Sequence, residues 1–262
     1  MSASGCRHRV DGPIGWIEFD NPGRHNAMSV AMWEALPAAV DALESDPAVR
    51  VIVLRGAGDA AFVSGADISQ FDAVRDSVEA NERYESIGEA GMARLAACTR
   101  PTIAMLQGWC LGGGVAIALA CDLRIADASL RFGIPAARLG IGYRWGGIRK
   151  LVDVVGAAHA REIFLTARRY DAQDALRMGF VGRVAARGEL EATVREECAR
   201  LAANAPLTMA AVKLAIDEML RPGPHLDVER MEAAVRGVFA SEDFVEGRRA
   251  FMEKRAPRFA GR

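Results

Sequence analysis

The chain has 262 residues, 51% of them apolar, and a formal net charge of −1. That length and balance fit one large globular domain, or one domain with a helical appendage, and give no electrostatic reason to expect nucleic acid as a partner. No apolar run approaches the roughly 18 residues that cross a bilayer, and the first residues, MSASGCRHRVDG, read as neither signal nor transit peptide.

Five scattered cysteines and four scattered histidines form no metal-site spacing. The odd, dispersed cysteine count fits a reducing cytoplasm, with the thiols acting as small apolar packers. In chain order, Gly12–Pro13 makes a turn before a short strand, IGWIEF. NPGRHNAMS (21–29) is turn chemistry. Ser29 is an N-cap for a helix burying Met32, Trp33, Leu36, Val40 and Leu43.

VRVIVLRG (49–56) is continuously apolar and β-branched, hence a buried strand. The GAGDA that follows mimics a dinucleotide fingerprint. No helical period starts in it, so a dinucleotide site is rejected. FVSGADISQF leads to a polar helix over about 77–98, whose Asp72, Asp76, Glu79, Glu82 and Glu85 read as a solvated face. TIAML (102–106) is a strand, and DLRIA and LRFG are short strands. IPAARLGIGYRWGG is a glycine-rich connection around a possible short helix. From Leu151 onward the pattern is helical: 157–165, 172–178, 190–203, 207–220, a face of Val228, Met231, Val235 and Phe239, and 242–254.

The stretch WCLGGGVAIALACD (109–122) joins a strand to a helix through Gly112, Gly113 and Gly114. Such a turn offers unpaired N–H groups at the positive end of a helix, which suits an oxygen that becomes negative. It suits equally a close approach of helix to strand.

Six stretches read together resemble the crotonase (enoyl-CoA hydratase/isomerase) superfamily: NPGRHNAMS, FVSGADI, QGWCLGGGVAIALACDLRIA, FGIP…LG, the segment 172–184, and SEDFVEGRRAFMEKRAPRF. The resemblance runs in order over about residues 10–260. It implies an α/β fold, a spiral of repeated ββα units over 1–200, with a C-terminal helical trimerisation region over 201–262. It implies trimers, often paired into hexamers, and acyl-CoA substrates, with no cofactor beyond the CoA that the substrate carries.

By motif, the N–H groups of Ala66 and Gly113 correspond to the pair that holds the thioester oxygen as an enolate forms. CoA is expected along Arg24 to Ala27 and along Ser64, Ala66, Asp67 and Ile68. Phe251 and Lys254 match C-terminal positions that reach CoA, frequently from a neighbouring subunit. Arg24 and Lys254 read equally as exposed charges, and Asp67 as a turn or capping residue.

The two glutamates of the family's standard hydratases correspond to Ala116 and Ala136. Alanine transfers no proton, and each such group contributes about a hundred- to ten-thousand-fold. Around a third family position stand Tyr143, Arg144 and Trp145, with no carboxylate among them. LGIGY is similar to the segment that supplies an active-site tyrosine in methylmalonyl-CoA decarboxylases, here Tyr143, although Ala66 stands where that branch has histidine. Arg144 is a candidate partner for a substrate carboxylate, and Trp145 is read as wall or core. Three readings stay open: hydration or double-bond chemistry by unusual groups, decarboxylation through Tyr143, and CoA-ester binding with little catalysis.

Overall fold

The computed structural model describes residues 5–67, 78–221, 223 and 226–262. The chain opens with a hairpin. β1 (Gly5–Asp11) pairs antiparallel with β2 (Ile14–Asp20), closing at Asp11 opposite Ile14. A sequence reading that starts the strand after Gly12–Pro13 misses β1, because GCRHRVD has no apolar period.

The remaining elements are α1 (Val30–Ser45), β3 (Val51–Gly56), β4 (Ala61–Val63), α2 (Val78–Ala96), β5 (Thr102–Leu106), β6 (Trp109–Leu111) and α3 (Gly113–Ala120). Then come β7 (Leu123–Asp127), β8 (Arg131–Gly133), α4 (Ala136–Leu139), α5 (Trp145–Thr166), β9 (Tyr170–Asp171), α6 (Ala172–Arg177) and β10 (Arg183–Ala185). The chain finishes with α7 (Leu190–Ala202), α8 (Pro206–Leu220), α9 (Val228–Phe239) and α10 (Glu242–Met252).

The strands form two sheets, ordered β1-β2-β3-β5-β7-β10 and β4-β6-β8-β9. β3, β5 and β7 lie side by side in the first, while β4, β6 and β8 lie side by side in the second, all parallel. Each ββα unit therefore gives one strand to each sheet before its helix returns the chain, which is the spiral expected from the family resemblance.

The first sheet is buried on both faces, which explains its continuous apolar runs. Ile17, Phe19, Ile52, Leu54, Ala104 and Leu106 face the main core. Their alternate neighbours, Trp16, Val51, Val53, Ile103 and Met105, pack under Leu190, Val194 and Cys198 of α7. α1 begins at Ser29, whose Oγ accepts the Met32 N–H at 3.2 Å.

α5 starts at Trp145, about three turns of helix earlier than the period beginning at Ala157 suggests. Gly156 (φ 76°, ψ 161°) interrupts it, so only its second half carries an uninterrupted pattern. The glycine-rich connection shrinks accordingly to the residues between Leu139 and Trp145.

α8, α9 and α10 expose large apolar side chains, among them Val212, Ile216, Met219, Val235, Phe239, Phe251 and Met252. Among the described residues, no helix is long and apolar enough to cross a membrane.

Candidate active site

The site begins with a loop held open against its own preferences. After a 3-10 turn at Pro22–Arg24, His25 and Asn26 both take positive φ, 51° and 57°. Asparagine tolerates that conformation better than most residues. Asn26 is also buried. Its Nδ2 donates to the carbonyls of Ala61 (2.8 Å) and Ala57 (3.0 Å), and its Oδ1 accepts from the Asn21 N–H (3.1 Å). Asn26 thus pins the 24–28 loop to β4, a role the sequence reading missed. A buried Asn inside turn chemistry was the available signal.

The loop then zips onto the segment after β4. Ser64 N–H donates to His25 O (3.1 Å), Met28 N–H to Gly65 O (2.8 Å) and Asp67 N–H to Met28 O (3.0 Å). Ser64 Oγ donates to the Arg24 carbonyl at 3.1 Å, and the Arg24 guanidinium lies 3.5 Å from the Asp67 carboxylate. Arg24, Ala27, Ser64, Ala66 and Asp67 are therefore one ribbon. Ile68 lies outside the described residues.

α3 meets this ribbon through the three glycines. Gly112 has φ 49°, and its N–H donates to Gly133 O at 3.0 Å. A Cβ on Gly114 would stand 2.1 Å from the Val63 carbonyl oxygen. That is too close for any side chain, so β4 and α3 touch backbone to backbone. A Cβ on Gly113 would stand 4.0 Å from the Ala66 nitrogen and 3.4 Å from Trp33 Cζ2. The packing reading of the triplet is thus what the structure shows, and the close approach brings the Gly113 turn beside the Ala66 backbone. Among the described residues, neither the Ala66 nor the Gly113 N–H donates to a protein acceptor.

Both donors open onto a cavity of about 500 Å³. Ala116, one turn along α3, lines it, as do Pro135 and Ala136 at the start of α4. Ile134, Leu139 and Ile141 make an apolar wall, and Tyr143, Arg144 and Lys150 continue it. α2 supplies the wall that also carries Trp33: Tyr84, Glu85, Gly88, Glu89 and Met92. Trp33 Nε1 donates to Tyr84 Oη at 3.2 Å, which fixes α2 to the back of the glycine turn.

This wall corrects one expectation. Glu79 and Glu82 are exposed, but Glu85 is half-buried and lines the cavity, so it does not belong to a solvated face. The connection around Tyr143 carries no carboxylate of its own, and the acidic groups near it come from α2. Glu89 pairs with Arg144 at 3.4 Å, and the Glu85 charge acts on Tyr143. Gly88 and Gly91 of α2 pack on Trp33 and set this side of the helix against the glycine turn, which the acidic pattern of the segment did not reveal. Asp72 and Asp76 lie outside the described residues.

Burial first, and the Glu85 charge second, push the Tyr143 phenol up to about 12. It therefore stays protonated at ordinary pH. Its ring packs edge-on against Phe164, 4.9 Å between centroids. Trp145 is neither wall nor core: it is 64% exposed.

Phe251 and Lys254 do not line the cavity in this chain. Phe251 is 82% exposed at the end of α10. Lys254 sits in the left-handed turn (φ 55°) that follows, where the chain folds back on α10 through the Asp243 carboxylate, which accepts the Ala260 and Gly261 N–H groups at 2.6 and 2.9 Å.

A family model described as enoyl-CoA hydratase/isomerase matches residues 9–262. The chain is 32% identical over 249 residues to a short-chain-enoyl-CoA hydratase of Clostridium acetobutylicum, spanning 94% of this chain and 93% of that one. It is 34% identical over 260 residues to a carnitinyl-CoA dehydratase of Salmonella typhi, spanning 96% and 97%. A crystal structure of an enoyl-CoA hydratase/carnithine racemase from Magnetospirillum magneticum superposes with a TM-score of 0.94 at 32% identity, covering 100% of this chain and 97% of that one. With sequence, fold and main-chain turn in agreement over the whole length, this chain belongs to the enoyl-CoA hydratase/isomerase family.

Proposed function

We propose that the protein is a lyase-type enzyme on acyl-CoA thioesters, adding water to an enoyl thioester or removing it from a hydroxyacyl thioester. The thioester oxygen is held, as it becomes an enolate, by the N–H groups of Ala66 and Gly113. The observation that carries this reading is the 4.0 Å approach of the Gly113 Cβ position to the Ala66 nitrogen at the floor of one cavity. Each such donor contributes about 3 kcal/mol to the transition state when aimed at the developing charge. The names of the relatives, hydratase and dehydratase, support the direction of the chemistry. CoA runs along the ribbon of Arg24, Ala27, Ser64 and Asp67. The exposed apolar faces of α8–α10 form the contact between copies in a trimer or a hexamer, and Phe251 and Lys254 reach the CoA of a neighbouring subunit from there.

A second reading is decarboxylation of a malonyl-type thioester. Loss of CO2 leaves the enolate directly, without removing a C–H proton. The cations of Arg144 and Lys150 on the Tyr143 wall favour it; the carboxylates Glu85 and Glu89, which repel a substrate carboxylate, oppose it. Purified protein given crotonyl-CoA, a hydroxyacyl-CoA and methylmalonyl-CoA, with products read by mass, separates the two. Water addition or loss is the expected result. CO2 release that Tyr143→Phe abolishes would establish the second reading instead. Tight binding without turnover of any thioester would overturn both.

A further inference from the structure

With alanine at 116 and 136, the cavity needs another group to carry a proton if water is to add or leave. Among the described residues lining it, the carboxylates are Glu85 and Glu89, one turn apart on α2. Glu89 is paired with Arg144 at 3.4 Å, and both are half-exposed. Glu85 lies deeper. The residue before it, Tyr84, bonds to Trp33, and the Trp33 ring backs Gly113 at 3.4 Å from its Cβ position. Across the cavity stands Tyr143, close enough for the Glu85 charge to act on its hydroxyl. The other titratable groups on these walls are Tyr84, Arg144 and Lys150.

We propose that Glu85, carried by α2, is the catalytic carboxylate of this active site, supplying from a different element the proton transfer that positions 116 and 136 lack. This rests on the enolate reading above and deepens it. In the hydration direction the Glu85 carboxylate takes one proton from water, and the water oxygen bonds to C3 of the enoyl group. The C2=C3 pair shifts toward the carbonyl, leaving the thioester oxygen negative against the Ala66 and Gly113 N–H groups. The enolate then collapses, and C2 takes the proton from the Glu85 acid, which returns to carboxylate. Both hydrogens of water are accounted for, one on the new hydroxyl and one on C2. Dehydration is the same sequence reversed. Tyr143, neutral and facing Glu85, gives this wall a second polar group that does not compete as an anion.

The test uses the full-length protein and the thioester that wild type turns over. Glu85→Gln lowers kcat by about a hundred- to ten-thousand-fold, while the thioester still raises Tm as it does for wild type. Glu85→Ala, which keeps a strong helix former at the site, is equally slow and regains part of its turnover with added formate, a response that a packing role does not produce. Glu82→Gln, on the exposed face of the same helix, stays at the wild-type rate. If wild type is active and Glu85→Gln keeps most of its kcat, the assignment of Glu85 is overturned and the enolate reading stands. If Glu85→Ala loses thioester binding and formate restores nothing, Glu85 is structural and the proposal fails. If wild type binds thioesters and transforms none, the functional reading itself fails, and this one with it.

Discussion

The three consecutive glycines are there for three different reasons. Gly112 takes a positive φ that a side chain would resist, Gly113 lies beside Trp33 and the Ala66 nitrogen, and Gly114 leaves no room at all, 2.1 Å from the Val63 carbonyl. A Gly114→Ala substitution therefore forces β4 and α3 apart. Since β4 leads directly into Ala66 and α3 starts at Gly113, the displacement falls on the spacing of the two donors. The expected loss is about 1–3 kcal/mol of stability from overpacking, together with about a hundredfold in turnover from a misplacement near 1 Å. Denaturant unfolding and kinetics on the same preparation check both. Asn26 acts on the other side of the site. Asn26→Ala removes both donors to Ala57 and Ala61 and the acceptor for Asn21 at a buried, left-handed position, so unfolding should show a loss of at least about 2 kcal/mol.

α2 is the element on which the proposed chemistry depends, and α1 holds it. Glu44 of α1 accepts from Arg94 near the end of α2 and from the Thr99 N–H at 2.6 Å, while Arg94 Nε also donates to Asp41 at 2.6 Å. Burial alone would raise the Glu44 carboxyl. The hydrogen bonds from Thr99 and Arg94 outweigh it and hold the group at about 2, below its ordinary 4.5. A depressed carboxyl of this kind stabilises the fold above its unfolded pKa and stops doing so as pH falls through the folded one. Wild-type Tm should thus drop between about pH 4.5 and pH 2 by more than that of Glu44→Gln, which starts lower and changes less. Equal acid slopes in the two proteins would show that Glu44 does not set this clamp. The clamp fixes the α2 end remote from Glu85, so the variant should retain activity at neutral pH once folded.

At the scale of the whole molecule, the ββα spiral gives both walls of the cavity from one chain, while α8–α10 display apolar side chains with nothing over them in the monomer. A trimer or hexamer is the expected state in solution by light scattering. Charged replacements such as Met219→Glu and Phe239→Glu should lower the assembly state. Acyl-CoA thioesters should also raise the stability of the native protein by about 2.7 kcal/mol at a hundred times their Kd. A melting curve that no thioester moves would count against the assigned substrate class.

The order of strands and helices was legible in the chain wherever apolar residues recur with a period, as in α1, in TIAML of β5 and in the helices after Leu151. It was illegible in β1, which lies at the sheet edge without an apolar period, and in the first half of α5, broken from the second at Gly156. The motif order by itself determined the family, and with it the expected roles of Ala66 and Gly113, because main-chain donors depend on backbone shape that glycines and turns write into the sequence. Which side chains meet those donors was decided only by the tertiary structure. Glu85 and Tyr143 lie 58 positions apart in the sequence, and no local pattern records that one helix turns its carboxylate toward the other's cavity wall. Polar composition made α2 look like a solvated helix; packing against Trp33 turned one of its carboxylates inward.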